Sequence, residues 1–232
     1  MSVIAIYRQS WPKHSEIICS VSETNPKEVL RQARQLVKSH EYGAALEKYI
    51  WFHEHALDAD RSFAGVRLSY AISEWIDLGE VYPPARTALE GVRDTKTELL
   101  TKGAYDVSLF HDVASINRAL GQVERTSDLF KTIAAADRSV AEKCFHIALE
   151  SLVRMNEFGL ARSFISDPQK EIDHFAMPFK FATQRTKSAS PEIVQETLAQ
   201  IYVKKVNLIL RVFIAVGDED VSNQLRHYAV ES

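Results

Sequence analysis

From Asn25 onward the apolar residues of this chain fall three and four positions apart, the spacing of one face of an α-helix, and turn signals interrupt them at long, nearly regular intervals. The residues that open the segment after each turn are Tyr42, Tyr82, Val123 and Phe158, separated by 40, 41 and 35 positions. A period of that length holds two helices and their turns, and a single pair of helices cannot bury its own apolar face. Successive pairs must therefore stack. Pro83-Pro84 and Asn25-Pro26 stand where a helix begins, because the first helical turn has no use for the missing N–H.

Within the first unit, Ala33 lies in the first helix, Tyr42 at the turn, Ala45 early in the second helix and Tyr49 four residues on. Small residues at such places let two helices approach closely, and aromatics fill the wedge between pairs. In this respect the chain resembles the tetratricopeptide-repeat family. The fourth unit matches through Phe145, Leu149, Leu152, Phe158 and Ala161. The second matches loosely, with Gly79 as turn glycine only if one residue is inserted before Tyr82; in the third, Thr126 replaces the small residue of the second helix. The resemblance implies an all-α fold, a right-handed superhelix of antiparallel helix pairs, in which residues 25–165 form four units.

Three further segments complete the reading. Residues 1–24 contain two β-branched runs around Trp11-Pro12 and form either a short hairpin or an extended arm. Residues 166–190, with Pro168, Pro178, Phe175, Met177, Phe179, Phe181 and a basic tail, read as an irregular Phe-rich insertion that packs against the rest. Residues 191–232 hold a long helix, apolar nearly all round from Val206 to Val216, followed by a short capping helix from Asp220 to Val230. Such a helix needs cover, either from the Phe-rich segment or from a second copy of the chain, making a homodimer through the C-terminal helix.

Several classes of function fall away. A formal net charge of −3 over 232 residues gives no global attraction to nucleic acid or to an anionic membrane. Cys19 and Cys144 have neither zinc-ligand nor disulfide-framework spacing. The N-terminus lacks the basic and apolar regions of a secretory signal, and the longest apolar run is interrupted by Asn207 and Arg211, so a soluble cytoplasmic protein is expected. His53 and His55 lie two apart and point about 200° apart on a helix, which does not make a metal site. His111-Asp112 reads as a surface pair without a nucleophile. With no phosphate-binding glycine loop and no nucleophile elbow, neither an enzyme nor a bound cofactor or metal is expected.

What remains is a binding surface. The resemblance implies a concave groove lined by first-helix residues: Lys27, Arg31, Arg34, Lys38, Tyr70, Ser73, His111, Arg118, His146, Arg154 and Arg211. Most are basic, which favours an acidic peptide or protein partner; a nucleic acid or nucleotide is the alternative, and a membrane is not expected. The asparagines of the family's carboxylate clamp have no match in the first two units, which disfavours chaperone tails. Trp75 shares a face with Leu68, Ala71 and Ile72 and belongs to the core, whereas Trp51, two residues beyond Tyr49, is the candidate exposed anchor.

Overall fold

The structure, a computed structural model, describes residues 25–185 and 192–231. The expectations for residues 1–24 lie outside the described residues. Among the latter there are twelve α-helices, one 3-10 turn at Arg61–Phe63 and no strand. The helices are α1 Pro26–Lys38, α2 Tyr42–Ala59, α3 Ala64–Arg67, α4 Tyr70–Val81, α5 Pro83–Thr101, α6 Val107–Ala119, α7 Val123–Ala136, α8 Arg138–Arg154, α9 Phe158–Ser163, α10 Pro168–Arg185, α11 Glu192–Ala215 and α12 Glu219–Glu231. The chain divides into two compact units, one ending at Ile133 and the other beginning at Ala134. The expected single run of pairs over 25–165 is thus cut inside α7. No described helix is long and apolar enough to cross a membrane.

Three of the four turn residues open a helix, and one local conformation explains it. His40, Gly121 and Asn156 adopt positive φ of 63°, 72° and 59°, each two residues before the next helix. At each of them two N–H groups close back on orphan carbonyls of the preceding helix; Glu41 N donates to Leu36 O at 2.9 Å and Glu157 N to Leu152 O at 2.9 Å. This left-handed C-terminal closure satisfies groups that a helix end otherwise leaves open. Gly217, with φ 86°, repeats it before α12. The turn at Tyr82 is different: Tyr82 simply links α4 to Pro83, with no left-handed residue. Gly79 is not a turn glycine. It lies within α4, and a Cβ there would stand 3.0 Å from Arg86 Cβ and 3.2 Å from Arg86 N, so its role is to admit α5 at close range.

In the first unit α1 packs on α2, α2 on α4, α4 on α5 and α6, and α5 on α6. The core at these seams runs from Val29, Leu30 and Ala33 through Ala45, Leu46, Tyr49 and Phe52 to Ile72, Trp75, Leu78 and Leu89. Ala33 and Ala45 are fully buried, which is what lets α1 and α2 meet closely. Trp75 is 1% exposed and its indole N–H donates to Ala85 O at 2.8 Å, a partner that makes its burial tolerable.

The second unit corrects the expectation of an irregular 166–190 segment. Residues Pro168–Arg185 form one helix, α10, with Pro178 inside it. A proline removes one backbone bond, but α10 buries Ile172 and Ala176 completely or nearly so and packs along α11, and that burial outweighs the lost bond. The apolar helix α11 finds cover within the chain: α8, α9, α10 and α12 all pack on it, and Val206, Leu208, Ile209, Leu210, Val212 and Phe213 are buried. Arg162 lies over the Phe213 ring at 4.6 Å, and Tyr202 donates to Ala229 O at 2.9 Å to tie α11 to α12.

Candidate functional site

In the first unit, the expected groove residues of α1 lie on one exposed face, and two of the four, Arg31 and Arg34, carry their own counter-ions. Arg31 bonds Glu28 through Nε at 2.7 Å and Nη2 at 2.5 Å, and Arg34 bonds Glu74 of α4 at 2.7 to 3.1 Å. Hydrogen bonds from Arg31 hold the Glu28 carboxyl well below the usual carboxylate range. Lys27, Lys38, Ser73 and Arg118 are exposed, and Tyr70 is 70% exposed. His111 is partly buried. Surface pairs of this kind contribute little to stability, and with Lys27 and Lys38 in no ion pair among the described residues the α1 face stays basic. Trp51, the candidate anchor, is half-buried against the core with its ring 5.6 Å from that of His55, so it keeps only part of its surface for a contact.

A second grouping in this unit escaped the sequence reading. Asp112 is no surface residue: it is 4% exposed. Arg67 holds its carboxylate bidentately at 2.5 and 2.7 Å, and Lys96 also donates to Oδ2. Arg67 Nε donates to His53 O at 2.5 Å, while Lys96 Nζ and Arg67 Nη2 approach His53 Nε2 at 3.2 and 3.4 Å. With two cations turned towards Nε2, that nitrogen is the acceptor and the imidazole proton sits on Nδ1. Burial, then Arg67 and Lys96, push the His53 pKa down to about 3, so His53 is neutral. Burial likewise lowers the Lys96 ammonium, against the pull of Asp112. Burial works to raise the Asp112 carboxyl, yet the Arg67 hydrogen bonds and the nearby cations hold it below its ordinary value.

The cluster ties α2, α3, α5 and α6 together. Three donors reach the Asp112 carboxylate and two cations approach His53 Nε2, so the cluster's acceptors are engaged inside the core. No group of three His, Cys, Asp or Glu side chains among the described residues could hold a metal ion. The signal that could have revealed the cluster is a charge on an apolar stripe: His53 shares a face with Tyr49 and Ala56, and Asp112 with Val113 and Ile116.

In the second unit three expected groove residues are placed on two sites. His146 bonds Glu171 at 2.5 Å and stacks on His174 with centroids 4.5 Å apart, which pins α10 to α8. Arg154 and Arg211 line the same cleft, of about 660 Å³, between α8 and α11. Its α8 wall is Glu150 and Arg154, one turn apart; its α11 wall is Glu196, Ala199, Gln200, Val203, Lys204, Asn207, Leu208 and Arg211. Residues spaced by three and four form a single stripe along α11. Glu150 is bound by Arg154 at 2.7 Å and by Lys204 at 3.0 Å. Arg211 pairs with no carboxylate among the described residues. Leu208 makes a buried floor, and Val203 is 55% exposed within the cleft. The arrangement can hold an apolar side chain and, at its Arg211 end, an anion. No protein-family model matches the chain, and comparison with curated proteins and with solved structures returns no match.

Proposed function

We propose that this protein is a non-enzymatic interaction module, built of tetratricopeptide-like helix pairs in a right-handed superhelix, that holds a peptide or partner protein in a helical groove with basic residues on its inner face. The left-handed turns that precede α2, α7 and α9 support the helix-pair reading. The observation that carries the binding reading is the cleft between α8 and α11, where Arg211, with no carboxylate partner among the described residues, stands beside an apolar floor. A guanidinium without a carboxylate is a ready donor pair for an acidic side chain or a C-terminal carboxylate.

The α1 face of the first unit is the weaker binding candidate, since Arg31 and Arg34 already have carboxylates. The paired state of those residues also works against nucleic acid, which would have to displace Glu28 and Glu74. Crosslinking from native lysate, compared between wild type and Arg211→Glu, tests the reading. Partners should crosslink to residues of the cleft and be lost with the variant. A partner set unchanged by Arg211→Glu would remove the site from consideration.

A further inference from the structure

We infer that the occupant of the α8–α11 cleft is an amphipathic helix of a partner protein, carrying two acidic residues seven positions apart on its contact face. The inference rests on the binding reading above and names the partner's chemistry. Its ground is the register of α11. Lys204 and Arg211 are seven residues apart on the cleft stripe, and Glu196 lies eight residues before Lys204. At 1.5 Å per residue these charges stand roughly 10 Å and 12 Å apart along the helix axis.

A partner helix lying along α11 keeps that spacing by itself, because positions i, i+7 and i+15 fall on one face of a 3.6-residue helix. In an antiparallel partner, acids at i and i+7 would meet Arg211 and Lys204 and a base at i+15 would meet Glu196; in a parallel partner the acids meet Lys204 and Arg211 and the base stands at i−8. In the antiparallel register, apolar residues at i+3 or i+4 and at i+8 would cover Leu208, which forms the floor, and the exposed Val203. An extended peptide fits this register poorly. At about 3.3 Å per residue, 10 Å is three residues, and residues three apart on a strand point to opposite faces. Charge also selects the sign of the partner: Arg154 and Lys204 already bond Glu150, so an acid at Lys204 would share that ammonium, and Arg211 is the base of the cleft with no carboxylate of its own among the described residues.

The test is a phage-displayed library of 18-residue helical peptides (~27 Å at the helical rise), selected on the full chain and counter-selected on Arg211→Glu. Arg211 is exposed, so the variant should retain the wild-type circular dichroism and unfolding curve. Enriched peptides should carry acids at i and i+7 with apolar residues between. Their affinity by fluorescence anisotropy should fall about tenfold or more on Arg211→Glu and on a central proline substitution in the peptide. Arg211-dependent peptides that tolerate the proline, or whose acids sit two or four apart, would overturn the helical occupant and leave the binding site standing. If no selected peptide depends on Arg211, both the occupant and the site are wrong.

Discussion

Replacing Asp112 by asparagine keeps the shape of the side chain and deletes one charge, and the structure makes this the most damaging conservative change in the first unit. Asp112 is the only carboxylate bonded to Arg67 and Lys96 in the buried cluster. Arg67 is 7% exposed, so the loss leaves two neighbouring cations in a poorly hydrated space beside a neutral His53. Removing one partner of a buried ion pair typically costs about 3 to 5 kcal/mol, which is a large share of a domain's usual 5 to 15 kcal/mol. In urea, with a slope near 2 kcal/mol/M, the unfolding midpoint should fall by roughly 1.5 to 2.5 M. Tryptophan fluorescence reports it directly, because the Trp75 ring lies 6.1 Å from that of His53. Lys96→Met is the companion: its charge is already disfavoured by burial, so the loss should stay near or below about 1 kcal/mol. An Asp112→Asn protein within about 1 kcal/mol of wild type would refute the account of the cluster as a tie that depends on its anion.

His53 gives a pH test whose sign follows from its lowered pKa. The unfolded chain takes up a proton near pH 6.5 and the folded one not until about pH 3, so this residue destabilises the fold as pH drops through that window, by about 1.4 kcal/mol per unit well below 6.5. Asp112, held low when folded, adds to acid lability below pH 4. An NMR titration should show the His53 ring neutral at pH 5; a midpoint near 6.5 would contradict its burial. Gly79→Ala should cost on the order of 1 kcal/mol despite the better helix former, since the added Cβ meets Arg86 at 3.0 Å, and thermal melting would show it. Phe213→Ala, which empties a fully buried site and removes the Arg162 contact, should cost about 3 to 5 kcal/mol in urea unfolding.

What could be read from the chain beforehand depended on how far apart in sequence the deciding residues lie. The starts at Tyr42, Val123 and Phe158 are local: a left-handed residue two positions earlier closes the previous helix. The end of α11 and the start of α12 follow from Gly217 in the same way. Helix α10 was illegible because Pro178 and the Phe-Met run mimic a loop, and only packing on α11 shows that the helix survives. The buried cluster was harder still. Asp112 meets Arg67 from 45 positions away and Lys96 from 16, so next to His111 it reads as one more surface acid. The cleft itself was not legible: Arg154 and Arg211 were expected only on the concave groove that the family resemblance implies, and that both line a cleft between α8 and α11 depends on how those helices pack.

The left-handed closures also bear on how such a chain could change length. At His40, Gly121, Asn156 and Gly217 the backbone groups that end one helix are satisfied within the turn itself, and two residues later the next helix is under way. A single inserted residue there would break those bonds and swing the following helix off its seat. The joints are thus brittle to small edits, and a change of length is borne more easily by the longer connection 102–106 between α5 and α6.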